Sequence, residues 1–180
     1  TADDGLALAE AERLEVVDLR SCDLPGPRQH CTIPAPELTE DLFESGTGFD
    51  GSSIRGFQTI QESDMILLPD PSSAWVDPFS ARRTLVLHCF VHDPVTGEPY
   101  SRDPRHVVRK AELHLLDSGV ADTCYLGPEA EFFIFDSVHF NSGTNEAHYF
   151  VDSVEGPWNT GRVAELDGTP NRGYKPRRTE

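Results

Sequence analysis

Residues 84–93 read TLVLHCFVHD, a short run of apolar, β-branched and aromatic side chains that ends at an Asp-Pro turn. Such side chains favour the pleated state, so this run is a strand, and its backbone groups need neighbouring strands. Upstream, LEVVDLR (14–20) and QHCTIP (29–34) flank turn chemistry at Pro25, Gly26 and Pro27 and predict a hairpin. MILLPD and SAWVDPF predict two more short strands. With 14 Gly and 14 Pro the chain is built of many turns and is not a helical bundle. Helices are predicted over residues 5–13, over PELTEDLFESG (36–46), which stops at a Gly, and after Asp103. Asp103 can cap that last helix with Pro104 in its first position. Val107, Val108, Ala111, Leu115 and Leu116 predict one buried stripe along it, and Gly119 ends it.

The polar segment DPVTGEPYSRDP (93–104) is the expected domain boundary, dividing the chain into residues 1–100 and 101–180. Beyond the Asp103 helix, CYLGPEAEFFIFDSV (124–138) predicts a further buried strand. The residues after it are polar and turn-rich, without a convincing period.

Charge and cysteines narrow the function classes. The 31 Asp and Glu against 15 Lys and Arg argue against a nucleic-acid face, which needs a basic stripe. No apolar run approaches the roughly 18 residues of a membrane span, and TADDGLALAEAERL lacks the basic and apolar regions of a secretory signal. Cys22, Cys31, Cys89 and Cys124 are scattered without a C-x-x-C pair, which argues against a zinc cluster and fits reduced thiols in a cytoplasmic protein.

Two stretches carry candidate chemistry. In GPEAEFFIF (127–135), Glu129 and Glu131 would share one strand face, roughly 7 Å apart. Convergent carboxylates suit Mg²⁺ or Mn²⁺, and at that separation each can serve a different ion; the plainer alternative is a solvated strand end. In FDGSSIRGF (49–57), Asp50 precedes a glycine and two hydroxyl residues, Ser52 and Ser53. This loop can hold a small cation or amine, or it can be an Asx-turn that satisfies only its own backbone. GTGFDG (46–51) matches the dinucleotide fingerprint in letters only, since a helix precedes it and SSIRGF follows. No G-x-x-x-x-G-K-[ST] loop occurs, and His88 with His92 reads best as a structural pair.

Together, FDGSSIRGFQTIQESDMILLPDPSSAWVDPF, RDPR and GPEAEFFIF, in that order and spacing, resemble the amino-terminal part of bacterial-type glutamine synthetases. VVDLR and EGPWNTG extend the resemblance over almost the whole chain. It implies an α+β fold: a β-grasp-like domain over residues 1–100, then the beginning of a catalytic α/β domain over 101–180. It implies ATP-dependent ligation of ammonia to L-glutamate through γ-glutamyl phosphate, with two divalent metals. By motif, Glu129 and Glu131 match metal ligands, each for a different ion. Asp50, with Ser53 beside it, matches the ammonium loop that approaches a neighbouring subunit; there the Asp50 carboxylate would bind ammonium and help remove its proton. A homo-oligomer is implied, or association with full-length subunits.

The departures are as specific. The family's catalytic domain continues for hundreds of residues and carries further metal ligands, phosphate-binding arginines and a flap without counterpart here. NRGYKPRRTE (171–180) follows the family's pattern to Pro176 and then leaves it, which reads as an interrupted gene, a frameshift or a fragment. Phe57 stands where relatives often have Trp. Three readings follow: a glutamine synthetase chain with only part of its site, an inactive short relative that at most associates with full-length subunits, or an acidic binding module with surface glutamates. The three ordered motifs disfavour the last, and the chain alone is expected to be inactive.

Overall fold

The computed structural model describes residues 1–156, 158–161, 165–166 and 169–170. The expectations for NRGYKPRRTE lie outside the described residues, as does Pro157 of EGPWNTG. The chain divides into two compact units, Thr1–Tyr125 and Leu126–Glu180.

The first unit opens with α1 (Ala2–Ala11), started by a capping box in which the Thr1 hydroxyl accepts from the Asp4 amide and Asp4 answers the Thr1 backbone. The predicted hairpin forms as β1 (Val16–Cys22) and β2 (Arg28–Pro34), antiparallel with Leu19 opposite Cys31. The predicted 36–46 helix is shorter: a 3₁₀ turn at Ala35–Glu37 precedes α2 (Glu40–Ser45), capped by the Thr39 hydroxyl. Next come β3 (Thr47–Asp50), β4 (Asp64–Pro69), the two-residue β5 (Trp75–Val76) and β6 (Thr84–His92). β3 runs into the FDGSSIRGF stretch that the sequence presents as a loop; pairing with β4, which brings Phe49 opposite Met65, overrides the weak local propensity.

The strand order is β2-β1-β6-β4-β3, with β5 also pairing to β6. β6 is the hub: it runs parallel to β1 over Thr84–His88 and antiparallel to β4 over Cys89–His92. Alternation along β6 sends Leu85, Leu87, Cys89 and Val91 into one core, where all four are fully buried. Val17, Leu19, Met65 and Leu67 join them, as do Leu38 and Leu42, with Leu6, Leu8, Ala9 and Phe43 packed against the cluster. Each fully buried Leu or Val in this set contributes about 1.5–3 kcal/mol by leaving water.

α3 (Pro104–Asp117) begins where the sequence places it, with Asp103 accepting from the Arg105 amide at 3.0 Å. Its apolar stripe is not buried. Val107, Val108, Ala111 and Leu116 are exposed and Leu115 only half-buried. Periodicity marks which side of a helix would be covered; it cannot supply the covering layer.

In the second unit the predicted strand 124–138 is also corrected. Residues 124–135 form no strand, and β7 begins only at Ser137, running to Ser142 and pairing antiparallel with β8 (Ala147–Asp152). Local composition favoured a pleated segment, but a strand exists only with a ladder partner, and none of the described residues pairs with 124–135. Phe132, Phe133 and Ile134 are accordingly 78%, 86% and 75% exposed. The β7–β8 hairpin itself lacked a readable period. Two short strands, β9 (Glu165–Leu166) and β10 (Thr169–Pro170), complete the described elements. Among the described residues no helix is long and apolar enough to cross a membrane.

Candidate functional site

The Asp50 loop is placed by two glycines and one aromatic anchor. Gly46 ends α2 with φ of 71°, and a Cβ there would stand 2.5 Å from the Leu67 carbonyl oxygen, so only glycine lets β3 start so close to β4. At the other end of β3, the Gly51 amide donates to the Ser63 carbonyl at 2.6 Å, and a Cβ would meet Met65 Sδ at 2.5 Å. A 3₁₀ turn over Gly51–Ser53 follows. The loop closes at Phe57, whose side chain is 2% exposed and lies against the Tyr100 ring, centroids 5.2 Å apart. The Phe57 carbonyl accepts from Tyr100 OH and from Arg102 Nη1, each at 2.8 Å; Arg102 Nη1 also lies 3.2 Å from the Gly56 carbonyl.

Asp50 itself is exposed. Its Oδ1 accepts from the Ser52 hydroxyl at 2.6 Å and the Ser52 amide at 2.8 Å, and its Oδ2 from the Ser53 hydroxyl at 3.1 Å. This is the Asx-turn geometry, and it keeps the carboxyl below the usual carboxylate range, the Ser52 hydroxyl being the largest cause. The donors satisfy the carboxylate without neutralising it, so it can still attract a small cation. Asp64 stands opposite in the β3–β4 register and adds a second exposed carboxylate. A hollow of about 290 Å³ adjoins the loop, lined by Asp50 and Ser53 together with Gln29, His30 and Cys31 of β2.

Glu129 and Glu131 lie in the irregular, exposed segment of the second unit. Among the described residues no group of three or more His, Cys, Asp or Glu is placed to hold a metal ion. His88 and His92 share a face of β6; burial lowers the His88 pKa, and His92 Nδ1 lies 3.0 Å from the Gly97 carbonyl, both structural positions. The four cysteines are free, and burial pushes the Cys89 thiol up to about 12.

One polar cluster escaped the sequence reading. Asp18, with an 8% exposed side chain, accepts from Arg20 Nε (2.7 Å) and Thr32 Oγ1 (2.9 Å) and contacts His30 Nδ1 at 2.8 Å. Arg20 Nη2 also pairs with Asp77 at 2.8 Å. Burial alone would raise the Asp18 pKa, but the hydrogen bonds from Arg20, His30 and Thr32 lower it overall. Only the i, i+2 alternation of Asp18 and Arg20 on a predicted strand hinted at it. Tyr100 and Arg102 were likewise missed, because nothing local signals which distant carbonyl they reach.

Comparison with known proteins fits this architecture. Residues 13–94 match the family profile described as glutamine synthetase, beta-Grasp domain, and residues 101–179 that described as glutamine synthetase, catalytic domain. The chain belongs to the glutamine synthetase family. The glutamine synthetase of Mycobacterium tuberculosis is 59% identical over 177 residues, covering 98% of this chain and 37% of that protein. That of Streptomyces coelicolor is 53% identical over 176 residues, covering 98% and 36% respectively. The chain thus spans little more than a third of the length of these curated relatives. In fold it is similar to the Plasmodium falciparum glutamine synthetase structure, with a TM-score of 0.61 at 23% identity over 84% of this chain and 30% of that one. The fold is therefore a β-grasp domain followed by the start of a glutamine synthetase catalytic domain.

Proposed function

We propose that this chain supplies the amino-terminal portion of a glutamine synthetase, which ligates ammonia to L-glutamate at the expense of ATP through γ-glutamyl phosphate. The division is residues 1–100 as the β-grasp domain and 101–180 as the first part of the catalytic domain. The observation that carries the reading is the Asp50 carboxylate: exposed, ionised by its serine donors, and set on a loop anchored at Gly51 and at Phe57. In this reading Asp50 and Ser53 form the ammonium loop and face the site of a neighbouring subunit. A carboxylate held below its usual range is a strong anchor for ammonium and a weak base. Asp50 therefore fixes the cation first and takes a proton from it before the ammonia so freed attacks the acyl phosphate and displaces phosphate.

Glu129 and Glu131 offer the hard oxygen donors that Mg²⁺ or Mn²⁺ prefers, and the reading assigns one to each ion. Among the described residues the two lack the further ligands of a complete site. When bound, the ions would neutralise phosphoryl charge.

The test uses glutamine formation from glutamate, ammonia and ATP. The 180-residue chain alone is expected to give none. A full-length relative whose matching segment is replaced by residues 1–100 of this chain is expected to assemble and turn over. Turnover by the isolated chain, or an assembled but inert chimera, contradicts the proposal.

A further inference from the structure

The loop that carries Asp50 is held at its far end from outside, by the segment that leads into α3. We infer that Arg102 and Tyr100 act as a clamp that sets the position of the Asp50 loop, making Arg102 a positioning residue for the proposed ammonium site. The inference rests on that reading for its functional meaning but stands on its own geometry.

A carbonyl oxygen has two lone pairs, and at Phe57 both are taken by side chains from one short stretch, Tyr100 OH and Arg102 Nη1. The same guanidinium nitrogen reaches the Gly56 carbonyl, where φ of 83° lets the chain turn back. From there the links run directly to the carboxylate. The Phe57 amide donates to the Ile54 carbonyl at 3.1 Å, and the Ile54 amide to the Gly51 carbonyl at 3.2 Å. Ser52 and Ser53, between these bonds, are the donors to Asp50. Gly51 is fixed separately by the Ser63 carbonyl, so the clamp governs where the serines stand rather than where β3 ends.

The donors are themselves well founded. Tyr100 is buried against Phe57, and its amide donates to the Val91 carbonyl at 2.8 Å. Asp103, one residue beyond Arg102, is fully buried and accepts from the Val91 amide at 3.0 Å. The clamp thus ties the loop to β6, the most deeply buried strand of the sheet. It also means that a shift of the residues leading into α3 would be passed to the Asp50 loop.

Hydrogen exchange read by mass spectrometry on the 180-residue chain tests this. Arg102→Met removes the charged donor and keeps the length of the stem. Amides in a peptide spanning 51–57 are expected to exchange roughly tenfold faster, the effect of losing one charge-assisted hydrogen bond, while peptides from β6 stay unchanged. Arg102→Lys should restore part of the protection, which a merely structural surface arginine would not require. Tyr100→Phe, which keeps the ring contact, should act in the same direction. Unchanged 51–57 exchange in Arg102→Met overturns the inference, as does acceleration spread equally over β6. The ammonium reading is separable: should the chimera with intact Asp50 prove inert while the exchange result holds, the clamp stands and the functional assignment falls.

Discussion

Asp103 joins the β-grasp sheet to the helix that follows, and replacing it with alanine should be among the most damaging single changes in the first unit. Its Oδ1 caps α3 through the Arg105 amide, and its Oδ2 accepts from the buried Val91 amide, both at 3.0 Å. Losing an N-cap costs about 1 kcal/mol. Leaving a buried backbone N–H without a partner costs a further ~1–3 kcal/mol. Part of this is offset, because burial raises the Asp103 pKa and the ionised carboxylate is itself disfavoured there. A net loss of about 2–3 kcal/mol follows. In urea unfolding followed by circular dichroism, that lowers the midpoint by roughly 1–2 M at an ordinary m-value. Asp103→Asn keeps one acceptor and should lose about half as much. The sign of the pH effect is fixed as well: with a raised folded pKa, the stability contribution is complete below the ordinary value of 3.8 and is lost as pH rises through the folded value. An Asp103→Ala unfolding free energy within about 0.5 kcal/mol of the parent would refute the reasoning.

Gly46→Ala combines a positive φ with a Cβ 2.5 Å from a backbone oxygen, whereas Gly97→Ala has a similar φ and open space around it. Thermal melts should show at least about 2 kcal/mol lost at Gly46 and about 1 at Gly97; equal losses would discard the close-approach argument. Asp18 has a lowered pKa, so its contribution is present above the ordinary value of 3.8 and disappears as pH falls through the folded value. Asp18→Asn should therefore lower stability at neutral pH and flatten the acid limb below about pH 4, and an unaltered acid limb by urea titration at several pH values counts against it. Phe132, Phe133 and Ile134 are exposed in a row, so light scattering should detect concentration-dependent association that Phe133→Asp weakens; a monodisperse parent chain at high concentration would sink that expectation.

What was legible in the sequence follows from range. β6 could be read because its side-chain chemistry is local, and the β1–β2 hairpin because its turn is. The N-cap at Asp103 was readable from Asp-Pro alone, while its bond to Val91, twelve positions away, was not. GPEAEFFIF misled for the complementary reason: its alternation fits a buried strand, but no partner strand is described for it. The α3 stripe failed in the same way. At the site, the Asp50-Gly51 turn and its two serines were visible as letters, and the Asx-turn they form leaves the carboxylate exposed. The clamp from Tyr100 and Arg102 spans more than forty residues and has no local signature.

The proposed function gives Asp50 the task of anchoring ammonium. The most direct measurement is the ammonium dependence of glutamine formation in the full-length chimera carrying residues 1–100 of this chain, compared with its Asp50→Asn form. KM for ammonium is expected to rise roughly tenfold or more, the effect of losing a charged hydrogen-bond partner, while KM for ATP is unchanged. An unchanged ammonium KM, or an equal loss for ATP and ammonium, would contradict it.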